Sequence, residues 1–191
     1  MRQLLKRILM QCDKISLEYL EDNLDILCIA IPELKDEVGF SQNNPWHIYD
    51  VWRHTEAALT YSNHDLETRI ALLLHDIGKP HCYQDDGNIR HFKGHAQKSA
   101  EMVPKILERM GFIEREIDTI VWLVANHSTT IDVSKINKYN LEKYKKLLHI
   151  QYCDCKAYNP EKTEEVITKL DVTKAQIDKI EKSFKEERNE R

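Results

Sequence analysis

A histidine and an aspartate stand side by side at His75 and Asp76, directly after the apolar run Ile70–Leu74. That run is apolar all round a helix, which marks the helix as buried. A carboxylate carried in beside it must be paired, hydrogen-bonded or bound to a cation. An uncompensated buried charge costs several kcal/mol or more. The pattern recurs elsewhere. His54 follows Val51 by three residues and precedes Ala58 by four, on the core side of its helix. His127 follows Ile120, Leu123 and Val124 at seven, four and three, near the end of an apolar stripe. Asp154 follows Leu147 and Ile150 at seven and four and precedes Tyr158 by four. His95 opens a further helix after Gly94. One histidine on an apolar face is usually a hydrogen-bonded core residue. Imidazoles and carboxylates aimed into apolar surroundings from several helices read instead as a cation site. A helical bundle builds such sites from inward-facing side chains. Nitrogen and oxygen donors suit divalent ions, and iron, manganese, nickel, zinc and magnesium all stay open.

The elements that must position these groups are helical. Residues 2–10 place Leu4, Leu5, Ile8 and Leu9 on one face, which predicts a short amphipathic helix packed on the domain. A second helix is predicted from Ser16, as its cap, to Ala30, with Pro32 just beyond. Gly39–Asp50 is rich in turn formers and reads as a loop. Helices follow over Val51–Tyr61 and Leu66–Ile77, the latter closed by Gly78 and Pro80. Residues 81–94 form a loop with a short hairpin. Helices are expected over 95–110, 113–127 and 140–158, with Pro104 starting or kinking part of the first. The stretch from Pro160 to Arg191 is helical in pattern and heavily charged, and its last residues are expected to fray. Three parts result: an N-terminal helix over 1–14, a main domain over 15–159 and a C-terminal helix over 160–191.

The chain has 191 residues, 31% of them charged, and only five Gly and five Pro. That is scarce punctuation for an all-β protein and suits long helices. A net charge of −4 argues against a broad nucleic-acid footprint and leaves room for a local basic patch. Nothing is long or apolar enough to span a membrane, and the N-terminus lacks the unbroken apolar stretch of a signal peptide. The five scattered cysteines read as reduced thiols in a cytoplasmic protein. Cys153 and Cys155 flank Asp154, yet no second pair follows, so they read as small buried thiols rather than a zinc site.

The order His54, His75-Asp76, Asp154 resembles the H…HD…D signature of the HD superfamily of metal-dependent phosphohydrolases. The segments ALLLHDIGKP, IRHFKGHAQKSA, VWLVANHS and HIQYCDCKAYNP, with IPELKDEVGFSQNNPWHIYDVWRHT before them, resemble the HD domain attached to bacterial tRNA nucleotidyltransferases (CCA-adding enzymes). The likeness covers roughly residues 15–185. It implies an all-α HD-domain bundle with a metal site between helices. It also implies that His54, His75, Asp76 and Asp154 hold one metal. His95 and His127 match positions that hold a second metal, with Asp76 bridging, so one or two ions per chain are implied. His47, His64, His81, His91 and His149 match no metal position, although His81 and His91 could border the substrate. The chain has no Gly-Gly pair and none of the nucleotidyltransferase head, so hydrolysis by a stand-alone domain is expected rather than nucleotide addition.

The expected chemistry is hydrolysis of a phosphoester on a nucleotide or RNA end by a metal-activated water. Asp76 is the candidate to orient or deprotonate that water. Lys79, one turn after His75, is either a phosphate contact or a surface lysine favoured by a helix C-terminus. Lys93 and Arg90 are further candidates for phosphate binding. A nucleotidase or nucleoside polyphosphate hydrolase is the alternative within enzymes. A non-catalytic RNA-associated or assembly module is the alternative outside them. The sequence carries no signal for the oligomeric state.

Overall fold

The computed structural model describes residues 1–189. Within them lie eight α-helices, three short 3-10 turns and one two-residue hairpin. The helices are α1 (Arg2–Leu9), α2 (Leu17–Ala30), α3 (Val51–Thr60), α4 (Leu66–Leu74), α5 (His95–Met110), α6 (Glu114–Asn126), α7 (Leu141–Lys156) and α8 (Pro160–Asn189). Strands β1 (Gln84–Asp85) and β2 (Arg90–His91) pair antiparallel, Gln84 opposite His91. The predicted all-α bundle and the hairpin are both present. The fraying expected at the chain's end concerns its last residues, 190 and 191 of which lie outside the described residues.

Polar caps set where the helices start. Ser16 accepts from the Tyr19 N–H at α2, Asp50 from Arg53 at α3 and Asp65 from Thr68 at α4. Each satisfies a donor that the first turn leaves open. Gly111, at φ 86°, ends α5 in the left-handed conformation that favours glycine. α5 runs unbroken through Pro104.

α4 is the axis of the core. Every residue from Thr68 to Leu74 is buried, and α1, α3, α6 and α7 all pack against this helix. α1 is docked rather than free: Leu5, Ile8 and Leu9 are buried. The buried Arg69 guanidinium of α4 binds the carbonyls of Leu9, Cys12 and Asp13 at the end of α1. α8 packs along α7 and buries Ile177, with Leu170, Ile180 and Phe184 half-buried beside it.

α4 is three residues shorter than predicted. The helix stops at Leu74, His75 caps it, and the chain turns through Asp76 and Ile77 to Gly78. Gly78 and Pro80 mark the end of that turn, not of the helix. Gly78 is needed for contact rather than for an unusual φ. A Cβ there would sit 2.5 Å from the Ser99 backbone nitrogen and 2.9 Å from the His95 carbonyl oxygen, so α5 closes directly on the turn. The Gly78 N–H also donates to Ser99 Oγ at 2.9 Å. Gly78→Ala forces backbone apart and should cost about 1–3 kcal/mol. Thermal denaturation should show a Tm lower by roughly 3–10 °C; an unchanged Tm would mean that this contact is not tight.

Candidate metal centre

Five helices deliver six side chains to one place. His54 comes from α3, His75 and Asp76 from the end of α4, His95 from the first turn of α5, His127 from the end of α6 and Asp154 from the last turns of α7. All but His95 are buried to 5% exposure or less. The sequence-predicted set is therefore assembled as a set. Among the described residues, two overlapping groups have donor atoms within 4.8 Å of one another: His54, His75 and Asp154, and His75, Asp76 and His127.

Each imidazole is oriented by its own backbone. The Nδ1 atoms of His75, His95 and His127 lie 2.6, 2.8 and 2.7 Å from the carbonyls of Leu72, Phe92 and Val124, each three residues earlier. His54 Nδ1 lies 3.3 Å from the Ala157 carbonyl. A carbonyl oxygen only accepts, so Nδ1 carries the hydrogen in every case. In a neutral ring held this way the lone pair is on Nε2, and all four Nε2 atoms face inward. His95 and His127 bring theirs to 3.1 Å, and His54 and His75 to 3.4 Å. Two facing lone pairs at such a distance repel unless a proton or a metal cation lies against them. Burial, the largest influence, holds His127 down to about 3 and lowers His95. No proton is therefore available to separate that pair near neutral pH.

Asp76 sits between the two halves. Its Oδ2 lies 3.2 Å from His75 Nε2 and 3.5 Å from His54 Nε2. Its Oδ1 lies 3.4 Å from His95 Nε2 and 3.8 Å from His127 Nε2. Neither oxygen has a hydrogen-bond partner although the residue is 1% exposed. Lys79 Nζ approaches Oδ2 to 2.6 Å as an ion pair but outside hydrogen-bond angles, and donates instead to Gln42 Oε1 at 2.7 Å. Burial opposes the Asp76 charge, but His75 and Lys79 outweigh it and hold the carboxyl well below its ordinary range. Asp154 is likewise held low, against its burial, by His54 and His75. Its Oδ1 lies 2.9 Å from His54 Nε2, and its Oδ2 accepts from the Tyr158 hydroxyl at 2.9 Å. His75 is the exception among the rings. Burial lowers it, yet Asp76 and Asp154 win and raise it to about 10.

These observations fit a divalent cation. Donors bound at about 2.1 Å to one ion lie roughly 3.0–3.4 Å apart. That is the spacing of the facing imidazoles and of Asp76 Oδ2 with His75. The orphaned Asp76 oxygens, one turned to each half, have the form of a bridging carboxylate. The cysteines do not join the site. Cys153 and Cys155 are buried beside Asp154, burial pushes their thiols up to about 12 and about 11, and all five cysteines are free.

The remaining candidates fall in different places. Lys79 is not a surface lysine; it is 3% exposed and lies against the Phe92 ring. Lys93 is exposed and lines a cleft of about 460 Å³ together with Asp76, Lys79, His95 and Asp154. Arg90 is engaged with Asp85 Oδ2 and the Ser41 carbonyl, over the rings of Phe40 and Tyr83. His91 lines the cleft, whereas His81 faces Asp36 at 3.5 Å. The sequence reading passes over Gln42, sets His47 aside as matching no metal position and uses Tyr158 only for its spacing from Asp154. His47 packs edge-on against His54 and Tyr158, with ring centroids 4.9 and 5.1 Å away.

Comparison with known proteins agrees with this geometry. Residues 47–183 match the family model described as HD domain. The chain is 33% identical over 111 residues to the A-adding tRNA nucleotidyltransferase of Deinococcus radiodurans, covering 54% of this chain and 25% of that protein. It is 30% identical over 113 residues to the CC-adding tRNA nucleotidyltransferase of Thermus thermophilus, covering 56% and 26%. It is 26% identical over 136 residues to the bifunctional uridylyltransferase/uridylyl-removing enzyme of Cereibacter sphaeroides, covering 60% and 14%. The chain thus spans about a quarter or less of the length of these relatives. No described helix is long and apolar enough to cross a membrane. With the family match running over most of its residues and over the whole His/Asp cluster, the chain belongs to the HD domain family, a superfamily of metal-dependent phosphohydrolases.

Proposed function

We propose that this chain is a cytoplasmic metal-dependent phosphohydrolase acting on a phosphoester of a nucleotide or an RNA end. One observation carries the reading: four inward Nε2 atoms surround a buried Asp76 whose oxygens lack hydrogen-bond partners. His54, His75, Asp76 and Asp154 would hold one divalent ion, and His95 and His127 a second, with Asp76 between them. Such an ion supplies an acidified water and a Lewis acid at the phosphoryl oxygen. The donor set admits iron, manganese, nickel, magnesium or zinc.

The protein's own groups then divide the work. The Nδ1 bonds fix the rings so that Nε2 is the donor atom. Asp76 stays ionised beside Lys79 and is placed to orient or accept a proton from the attacking water. Lys79 also lines the cleft, so its ammonium serves both Asp76 and a phosphoryl oxygen. Lys93 meets the substrate phosphate from the rim. Arg90, already paired, contributes by bracing the hairpin that carries Lys93's neighbours. Two of the relatives are named for tRNA and the third for uridylyl groups, which supports a nucleotide-bearing substrate.

Turnover of nucleotide phosphoesters should be abolished by a chelator and restored by manganese, nickel or magnesium. Asp76→Ala should lower kcat by about a hundredfold or more, since even groups behind metal ligands cost 10–100-fold. Its far-ultraviolet circular dichroism should stay helical. Wild-type turnover in that variant would remove Asp76 from the mechanism. Metal binding should also release a proton. His75, raised to about 10, keeps its proton at pH 8 without metal and must lose it to become a ligand, while His95 and His127 are already neutral. Affinity should therefore rise with pH up to that range. Calorimetry at pH 8 in buffers of different ionisation enthalpy should report release of about one proton per chain, at the site that His75 serves; release of none would mean that His75 is not displaced.

A further inference from the structure

The cleft at the metal centre has a neighbour. A second cavity of about 450 Å³ lies between α7, α8 and the segment 127–131, and it shares His127, Ser128, Asp154, Tyr158 and Val166 with the first. The two cavities are therefore neighbours that share the metal-centre residues His127 and Asp154 in their walls. Each is large enough for a small organic group.

Their walls differ in chemistry. The first lobe has the ammonium groups of Lys79 and Lys93 and the rings of Trp46 and Phe92. The second is faced by Ile131, Leu170 and Val172, with the hydroxyls of Thr129 and Thr173. Among the described residues its one lysine is Lys169, whose ammonium is already paired with Glu165 at 2.6 Å. That lobe offers no spare cation to a phosphate. It suits an uncharged group that gains from leaving water.

We propose that the α7–α8 lobe is a second binding subsite, taking an uncharged apolar or aromatic ester group, and that the substrate is consequently a phosphodiester. This rests on the phosphoester reading above. A monoester carries one organic group on phosphorus and would fill one lobe. A diester carries two, and a phosphorus atom held beside the shared residues His127 and Asp154 sends one into each. In the reaction the water oxygen forms a bond to phosphorus and one phosphorus–oxygen ester bond breaks. One water proton passes to the departing oxygen, giving an alcohol, and the other is released to solvent. The second organic group remains on a phosphomonoester.

The probes are bis(p-nitrophenyl) phosphate and p-nitrophenyl phosphate, assayed with manganese on the wild type and on Val172→Gln. Val172 is 59% exposed, so the substitution places an amide at the lobe without disturbing the core. The wild type should favour the diester in kcat/KM, and the variant should lose about tenfold of that preference through the diester's KM. A second readout needs no turnover. On adding diphenyl phosphate, the methyl resonances of Ile131, Leu170 and Val172 should shift in nuclear magnetic resonance spectra. If both compounds are hydrolysed but the preference is absent or unaltered in Val172→Gln, and those methyls do not move, the subsite is overturned while the hydrolase reading stands. If neither compound nor any nucleotide ester is hydrolysed with any metal, the hydrolase reading itself falls.

Discussion

The structure depends on one buried carboxylate with no hydrogen bonds of its own. Asp76 is set between pairs of imidazoles whose Nε2 atoms point at it and at each other. Without a metal, the facing lone pairs of His95 and His127 and a carboxylate without hydrogen bonds, offset only by the ammonium of Lys79 and by His75, share a low-dielectric space, which is expensive. With a divalent cation the same atoms become ligands. The rest of the fold can be understood as the means of keeping these groups in place until the ion arrives.

Helix ends do that work. The last carbonyls of an α-helix have no partner in the helix. At α4 and α6 the imidazoles of His75 and His127 donate to the carbonyls of Leu72 and Val124. The same bond that completes the helix end sets the ring's tautomer and aim. Moving either histidine by one residue would lose both effects. Gly78 then lets α5 approach the turn, bringing His95 opposite His127. Tyr158, just past α7, holds Asp154 Oδ2 so that Oδ1 faces His54. Polar groups behind metal ligands commonly have such an orienting role.

Much of this was legible in the sequence. Apolar stripes located the helices, and His54, His127 and Asp154 stood out because each broke a stripe on its buried side. The hairpin followed from its turn residues. The end of α4 was harder to place, because Gly78 and Pro80 signal a stop without distinguishing a helix from the turn after it. Lys79 could not be ranked from sequence. Its depth depends on Gln42 and Phe92, which come from other segments. Gln42 and His47 lie in an irregular loop, where no periodicity tells a buried side chain from an exposed one. The cavity beside α8 depends on how that helix lies along α7, and charge patterning gives no access to that. The match to the HD family runs over residues 47–183, a span that includes all six side chains of the cluster.

The most direct measurement is an anomalous-difference map from crystals grown with manganese or nickel, recorded on either side of the metal's absorption edge. The expected result is a peak within about 2.0–2.4 Å of His54 Nε2, His75 Nε2, Asp76 and Asp154. A fully loaded crystal would show a second peak between Asp76, His95 and His127. No peak among these residues, or one only at a cysteine or on the surface, would contradict the shared-cation arrangement.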